Sequence, residues 1–250
     1  MSQLRDRAVI AVSGPEARPF LQGLLTNDMT KVAPGRPAYA ALLTPQGKIL
    51  FDFHVGEADG VLLLDCRKDL RAALINKLSL YKLRAKIAIA PRDDLMVAAE
   101  GPADPRLAAL GPRAVVAAAP AEAADEAYLE KRLALGVPEG ADFASLFALE
   151  AGLDKLHAVA FDKGCYVGQE LTARMKHRGG ERKRLLPLGT QDDSPLSPGA
   201  VVAAAGAEIG SVATAYGARG FALLRLDRLQ GPLEAAGVPV TVTKPDWLFS

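Results

Sequence analysis

The sequence predicts an α+β protein that ends in a small C-terminal β-barrel, and two patterns lead to this fold class. A short apolar run, a Gly-Pro turn and a helical repeat follow one another twice, near residues 8–25 and 95–110. From Leu185 onward, short apolar runs are interrupted by glycine and proline, which is typical of a small barrel or sandwich. Half of the 250 residues are hydrophobic, enough for a core in each part.

The first strand–turn–helix unit opens the chain. Residues 8–12 are apolar and predict a strand, Ser13-Gly14-Pro15 predicts a turn, and residues 20–25 carry apolar side chains at helical spacing. The second unit has a strand at 95–99, the turn Gly101-Pro102 and a helical stretch from 107 to 110. Two such units about ninety residues apart favour a pseudo-symmetric, ferredoxin-like layer.

Residues 38–92, between these units, are predicted to form an inserted α+β subdomain. Residues 44–48 contain the proline and glycine of a hairpin loop, and Leu70, Leu74 and Leu78 recur at every fourth position of an amphipathic helix. The predicted elements are strands 38–43, 49–55 and 61–65, a helix 69–80 and a strand 86–90.

The other segments complete the predicted domain organisation. Residues 1–37 and 93–182 are expected to form one discontinuous ferredoxin-like α+β subdomain, with further strands at 114–118 and 128–135. Residues 183–250 are expected to form the barrel, because the composition changes near residues 179–184.

The chemistry is expected to centre on Cys165. Gly164 and Gly168 bracket this cysteine, which predicts a tight loop, and a helical pattern begins at Gln169. A thiol that precedes a helix N-terminus and lies two residues after Lys163 is expected to be partly thiolate near neutral pH. The alternative is a small buried hydrophobic residue, as many free cysteines are. The polar residues around this thiol favour the reactive alternative.

The octapeptide Lys163-Gly164-Cys165-Tyr166-Val167-Gly168-Gln169-Glu170 resembles the signature of the YgfZ family. These proteins are folate-binding relatives of the glycine-cleavage T-protein that help to mature or repair iron–sulfur proteins. The residues after the octapeptide resemble the branch that includes a mitochondrial iron–sulfur assembly factor, and a looser likeness extends over the N-terminal half.

The resemblance implies a T-protein-like fold, with two interleaved N-terminal α+β subdomains and a C-terminal β-barrel. It implies that Cys165 and Lys163 carry the chemistry. It also implies that tetrahydrofolate or a derivative is bound, with Tyr166, Gln169 and Glu170 among the binding residues.

Asp52 is a second candidate, in a strand between Phe51 and Phe53. The alternation of side chains leaves two alternatives: Asp52 faces solvent, or its carboxylate projects into a cleft as a hydrogen-bond partner or base. The T-protein has an aspartate pair in the matching strand, so the resemblance implies the second, although Phe51 takes one place of the pair. His54 shares the face of Asp52 and is expected to be structural.

One departure from the T-protein concerns the pterin ring. The T-protein anchors the ring with a glutamate in an Arg-x-Glu-x-Gly-x-Pro segment, and the segment taken as its match, residues 132–138, has Ala134 in that place. Loss of a hydrogen bond to a charged group costs about 1.5–3 kcal/mol. This departure counts against aminomethyl transfer and weakens the expectation of a folate.

A basic cluster follows the motif and contains Arg174, Lys176, Arg178, Arg182, Lys183 and Arg184, opposed by Glu181. One alternative is a solvated face. The other is that Arg174, on the motif helix, meets the carboxylates of a folate glutamate tail, which suit a planar guanidinium.

Composition argues against several classes of partner and site. The net charge of +1 gives no field that would attract nucleic acid or an anionic membrane, and no apolar run is long enough to span a bilayer. The two cysteines, Cys66 and Cys165, have neither disulfide-scaffold nor zinc spacing. No signal peptide is evident, so the expected location is cytoplasmic.

Three functions follow from these observations. The first is a folate-binding accessory protein for iron–sulfur cluster assembly or repair, whose partners are assembly proteins or client iron–sulfur enzymes. In it, Cys165 would be a reactive thiol or one ligand of a transient, shared cluster, because a cluster takes about four protein ligands. The second is a folate-dependent aminomethyltransferase, and the third is a binding module without chemistry.

Overall fold

The computed structural model describes residues 1–178 and 182–249, except for the side chain of Arg178. The α-helices are α1 Ala17–Leu24, α2 Arg71–Lys82, α3 Asp125–Ala134, α4 Gln169–Arg178 and α5 Asp246–Phe249. The strands are β1 Ser2–Gln3, β2 Arg7–Ser13, β3 Ala38–Leu43, β4 Ile49–Ala58, β5 Val61–Arg67, β6 Ala88–Pro91, β7 Leu95–Ala103, β8 Pro112–Ala117, β9 Glu122–Ala123, β10 Lys183–Thr190, β11 Val201–Ala204, β12 Ala207–Tyr216, β13 Arg219–Arg225, β14 Leu233–Ala235 and β15 Val238–Val242. None of these helices is long and apolar enough to cross a membrane.

A five-stranded sheet, in the order β3-β4-β5-β2-β6, forms the centre of the N-terminal part. One face packs on α1 and α2 in a core that includes Ile10, Leu21 and Leu78. The opposite face carries Val9 and Ala11, packed against Val97 of the next layer. Residues 7–12 are buried on both faces because layers cover both sides of this sheet.

The strand pairing differs from the predicted division at residue 37. Strand β2 pairs antiparallel with β5 and β6, so the first long strand of the proposed 1–37 and 93–182 subdomain lies inside the sheet of the proposed 38–92 insert. The physical reason is burial: a strand that is apolar on both faces is stable at the centre of a covered sheet rather than at its edge.

A second layer covers the face of the sheet that α1 and α2 leave open. It contains a four-stranded sheet, β8-β7-β1-β9, together with α3 and the turns of residues 137–159. Its core includes Tyr39, Leu133, Phe143 and Leu153. The space between this layer and the five-stranded sheet is where most of the buried charged groups lie.

Three predictions in this layer are wrong. The turn expected at Gly101-Pro102 lies inside strand β7, which continues to Ala103. Residues 128–135 were expected to be a strand but belong to α3, where acidic Asp125 and Glu126 begin the helix and basic Lys131 and Arg132 end it, in the order that the helix dipole favours. The expected helix at 107–110 is only a 3₁₀ turn, Ala108–Leu110, because Gly111 follows with a φ of 97° and ends it.

The C-terminal part is a closed six-stranded barrel in the order β10-β13-β12-β11-β14-β15, so the predicted fold class is confirmed. Leu186, Val202, Phe221 and Leu224 are buried in or beside it. Trp247 donates its indole N–H to the Leu135 carbonyl at 2.9 Å, which ties the C-terminal helix to the end of α3.

Candidate functional site

Cys165 is exposed to solvent, whereas Cys66 is buried in β5. The alternative that Cys165 is a small buried hydrophobe is therefore wrong. Helix α4 begins at Gln169, as predicted, which places Cys165 four residues before the helix. The helix dipole acts mainly within the first turn, and Cys165 lies outside that turn. The thiol thus stands on the connecting loop, 161–168, rather than at the helix terminus.

Lys163 holds this loop in place. Its ammonium donates to the backbone carbonyls of Gln22, Leu25 and Asn27 at 2.7, 2.7 and 2.9 Å, at the C-terminal end of α1. Burial lowers the pKa of Lys163 to about 8, so the group remains mostly charged at pH 7. Since all three ammonium donors are used, Lys163 has a positioning role, and it has no free N–H to donate to the Cys165 thiol.

Gly168 provides the second attachment of the loop. Its φ is +81°, and a Cβ at this position would lie 2.4 Å from the Thr44 carbonyl oxygen in the β3–β4 hairpin. Gly164 has no such requirement, because a Cβ there meets nothing within 4 Å. The prediction that both glycines are needed for backbone freedom is therefore right for Gly168 and unsupported for Gly164.

The predicted ligand-binding residues next to Cys165 have local roles. Tyr166 and Val167 are half-buried and pack against the two cores of the N-terminal part. Gln169 accepts from the Tyr166 backbone N–H at 3.1 Å, which closes the turn into α4. These contacts fix the residues on either side of the exposed thiol.

Glu170 and Arg174 form an ion pair at 2.5 Å on the outer face of α4, with side chains 84% and 50% exposed. Exposed pairs of this kind contribute little to stability. The pair supports the solvated-face alternative, and Arg174 already has a carboxylate partner. Glu181 and Gly179 of the predicted cluster and boundary lie outside the described residues, as does the Arg178 side chain.

Thiol labelling should distinguish the two cysteines. We expect one equivalent of a maleimide to react under native conditions, at Cys165, because burial protects Cys66 and raises the pKa of its thiol to about 12. Peptide mass spectrometry would locate the adduct, and labelling in denaturant should give two equivalents. Native labelling of Cys66 at the same rate would contradict this assignment.

A chain of buried ion pairs lies between the five-stranded sheet and the second layer, and sequence analysis did not find it. Arginines and carboxylates alternate along it, in the order Arg113, Asp65, Arg7, Glu139, Arg106 and Asp104. The successive nitrogen–oxygen distances are 2.6, 2.7, 2.8, 2.6 and 2.7 Å. We call this set the buried ion chain.

Asp52 lies beside the buried ion chain and is itself buried, so the solvent-facing alternative is wrong. Its carboxyl accepts from the Tyr39 hydroxyl at 2.8 Å and from the Gly140 backbone N–H at 3.1 Å. Burial and the nearby Glu139 raise the pKa of Asp52 above its ordinary value. The carboxyl therefore points into the interior as a hydrogen-bond partner, with a donor on each oxygen, but Asp52 is not among the residues that line the cleft described below.

Ala134 does not occupy an interior position. It is exposed at the end of α3, whereas Arg132 and Leu133 beside it are buried. A glutamate there would reach solvent rather than the interior, so the absence of a carboxylate at this position says little about a pterin.

His54 shares the face of Asp52, as predicted, and contacts the buried ion chain. Its Nε2 lies 3.4 Å from Asp104 and its Nδ1 lies 3.7 Å from Asp65. Burial lowers the pKa of the His54 imidazole to about 4. His54 is thus neutral at pH 7 and has a structural position, in line with the prediction.

The lowered pKa of His54 predicts a loss of stability in acid. Between pH 6.5 and 4 the unfolded chain binds a proton at this imidazole that the folded chain does not. The stability that the neutral His54 contributes to the folded chain is therefore complete above pH 6.5 and is lost as pH falls towards 4. The loss should be on the order of 3 kcal/mol. Urea unfolding of wild type and His54→Gln at pH 7 and pH 4.5 measures it, and parallel pH dependences in both proteins would contradict it.

A cleft of about 650 Å³, including its mouth, opens onto one end of the buried ion chain. His54, Asp65 and Arg113 form its polar part, and Cys165 is not among its lining residues. Within the described residues, the buried side-chain atoms without a hydrogen-bond partner are His54 Nδ1 and Arg113 Nη1 and Nη2.

These free atoms allow a test of whether the cleft suits a folate. The amino edge of a pterin presents N–H donors and needs a free acceptor. In the described part of the chain, Asp52 and the three carboxylates of the buried ion chain already accept from arginine, tyrosine or backbone groups. Arg113 offers only donors, whereas the neutral His54 can offer Nδ1 as an acceptor when its Nε2 donates to Asp104. One imidazole nitrogen can meet only one of the N–H groups on the amino edge of a pterin.

The signal that could have revealed the buried ion chain is charge inside apolar strands. Arg7 opens an apolar strand, Asp65 follows three leucines and Arg113 precedes Ala-Val-Val. A charged residue in such a run is either an edge residue or a buried, paired one.

Comparisons with known proteins agree with this architecture. A family model described as "CAF17, C-terminal beta-barrel domain" matches residues 182–250. The human protein "Iron-sulfur cluster assembly factor IBA57, mitochondrial" is 35% identical, over 98% of this chain and 84% of its own length. The IBA57 homologue of Neurospora crassa is 33% identical over 75% of this chain and 53% of its own length.

Among solved structures, the glycine cleavage system aminomethyltransferase T from Bartonella henselae is similar with a TM-score of 0.74. The match covers 98% of this chain and 85% of that chain at 17% sequence identity. At this identity the likeness shows the fold alone, and it agrees with the predicted T-protein-like architecture.

Proposed function

Because this chain belongs to the family of the iron–sulfur cluster assembly factor IBA57, we propose that it acts in iron–sulfur cluster assembly through the thiol of Cys165. The observation that supports this role is the exposure of Cys165 on a loop whose neighbouring residues are held firmly. Lys163 ties the loop to α1, and Gly168 packs it on the β3–β4 hairpin.

The partner is an assembly protein or client enzyme that contributes further thiols. In the described residues, no group of three or more histidine, cysteine or acidic side chains could hold a metal ion. A cluster generally takes about four protein ligands, so one thiolate of this chain would complete a site whose remaining ligands come from the partner. The cluster is then cargo that passes between two proteins.

The loop geometry suits transient ligation. A thiolate ligand must reach a cluster on another protein, which requires exposure, and must meet it in one orientation, which requires a fixed backbone. Cys165 is exposed, while Tyr166 and Val167 after it are half-buried and Lys163 before it is hydrogen-bonded. This arrangement also permits a nucleophilic or redox role for the thiol in repair.

Replacing Cys165 by alanine tests the proposal. In cells that lack their own copy of this factor, wild type should restore the activity of iron–sulfur enzymes and Cys165→Ala should not, with the melting temperature of the purified variant unchanged because the side chain is exposed. Cys66→Ala is the matched control: it should restore activity, although truncation of this buried residue lowers stability. Full rescue by Cys165→Ala would remove the proposal.

Tetrahydrofolate stays a prediction for this chain, as does the aminomethyltransferase alternative. Support for a folate comes from the sequence motif, and the cleft offers the pterin edge one unpartnered acceptor, His54 Nδ1. The location also stays a prediction: the sequence favours the cytoplasm, whereas the curated relatives carry mitochondrial names. Absence of nucleic acid and membrane partners likewise rests on composition.

A further inference from the structure

We propose that the cleft beside the buried ion chain is a binding site for a small carboxylate with an apolar body, and that Arg113 is the residue that pairs with it. This site is separate from Cys165 and does not rest on the role proposed for that thiol. The inference comes from the pairing of the buried arginines and from the chemistry of the cleft walls.

The three arginines of the buried ion chain are unequally paired. Arg7 contacts two carboxylates, Asp65 and Glu139, and Arg106 also contacts two, Asp104 and Glu139. Arg113 contacts one, Asp65, through Nε at 2.6 Å. A guanidinium has five N–H donors, and those on Nη1 and Nη2 of Arg113 have no hydrogen-bond partner among the described residues.

This unpaired edge suits an oxyanion, and the apolar walls of the cleft favour a carboxylate with a hydrophobic body over phosphate. Two parallel N–H groups on Nη1 and Nη2 match the two oxygens of a planar carboxylate, a geometry that neither a single carbonyl nor an ammonium ligand provides. The Arg113 side chain is 95% buried, and the face of Tyr128 lies 5.5 Å from its central carbon, so bulk water competes little with a bound anion. A charged pair in such a site is stronger than at the surface.

The rest of the cleft is apolar, and its walls come from strands and from two loops. Pro37, Leu63, Pro105 and Val115 contribute to its walls. Pro105 belongs to the connection between β7 and β8, so a loop, rather than a hydrogen-bonded strand, borders the cleft near Arg113. The unpaired nitrogens are closed off from water in the free chain. Asp104 and Arg106 hold the loop on either side of Pro105, so side chains of the cleft wall, rather than this loop, would move to admit a ligand.

The remaining polar groups define what the site excludes. The other acid at the mouth, Glu57, is already paired with Arg18 at 2.9 Å and would repel a second negative charge on the ligand. Each oxygen of Asp65 already accepts from one arginine, Arg7 or Arg113, so its charge is shared within the buried ion chain. A monocarboxylate with a hydrophobic body therefore fits better than either a dicarboxylate or the donor-rich edge of a pterin.

Calorimetric titration of the full chain tests this site with benzoate and phenylacetate, and with glutarate, inorganic phosphate and carboxylate-free 6-methylpterin as comparisons. Two variants probe it independently. Arg113→Lys keeps the positive charge beside Asp65 but removes the pair of N–H donors on Nη1 and Nη2. Gly56→Leu fills the cleft from another strand, where a Cβ meets nothing within 4 Å and the backbone is not left-handed. Arg92→Lys, at an exposed surface pair, is the control.

We expect saturable binding of the aromatic monocarboxylates by wild type and Arg92→Lys. Binding should be weakened about tenfold or more in Arg113→Lys, as loss of a charge-assisted hydrogen bond implies, and lost in Gly56→Leu. If both cleft variants bind the aromatic monocarboxylates as tightly as wild type does, the proposal is overturned. The absence of saturable carboxylate binding by wild type, or a preference for 6-methylpterin or phosphate, would also overturn it. If Arg113→Lys does not fold, Gly56→Leu alone decides the result.

Discussion

Replacing Glu139 by glutamine is expected to lower the free energy of unfolding by about 3–5 kcal/mol, because it leaves two buried arginines without their shared counter-charge. Glu139 accepts from Arg7 at 2.8 Å and from Arg106 and the Tyr128 hydroxyl at 2.6 Å each. Burial alone would raise the pKa of Glu139, but the surrounding arginines hold it well below its ordinary range. The carboxylate is therefore charged at neutral pH.

Urea unfolding of wild type and variant measures this loss. Glu130→Gln is the matched control, since Glu130 also pairs with an arginine, Arg219, but lies 59% exposed on the surface of α3. That control should change the free energy of unfolding by about 0.5 kcal/mol or less. A similar small change in Glu139→Gln would show that Arg7 and Arg106 are satisfied by their other partners, Asp65 and Asp104, alone.

Replacing Gly168 by alanine should cost about 2–4 kcal/mol and displace the cysteine loop. A residue with a Cβ is strained at a φ of +81°, and the Cβ would lie 2.4 Å from the Thr44 carbonyl oxygen and 2.9 Å from the Leu43 side chain. Relief requires the loop to move away from the β3–β4 hairpin. Because this changes where the thiol is presented, rescue of iron–sulfur enzymes in cells should also fall.

Gly164→Ala separates this effect from a general intolerance of the motif. Gly164 lies next to Cys165, yet a Cβ there has open space and the backbone is not left-handed. We expect unchanged unfolding and full rescue for this variant. Hydrogen exchange at the amides of residues 161–168 would report the displacement directly, with faster exchange in Gly168→Ala only. If the two alanine variants behave alike, the close approach to Thr44 does not hold the loop.

Elements with a strong local pattern could be read from the sequence. The strands, hairpin and helix predicted between residues 38 and 90 are present, with boundaries that differ by at most three residues from the prediction. The barrel was also predictable, because glycine and proline recur within and between its apolar strands. Helix α3 could not be predicted in this way. The Ala-rich stretch before it obscures the helical spacing of Leu129 and Leu133, which lie four residues apart.

The assignment of roles within the cysteine motif was less successful for a physical reason. Side chains near Cys165 in sequence were expected to act on it or on a ligand, but a loop must first be held to the rest of the protein. Lys163, Gly168 and Gln169 serve that purpose through contacts to residues 22–27, residue 44 and residue 166. Position along the chain does not distinguish a residue that reacts from one that holds the loop.

By itself, the sequence determined the α+β class, the C-terminal barrel and the motif that carries the family resemblance, since these depend on residues close together in the chain. Only the tertiary structure decided that Arg7 meets Glu139, 132 residues later, and that Arg113 is left with a single carboxylate. The reason is that a charge is stable in the interior only when its partners surround it, and those partners come from segments that meet only in the folded chain.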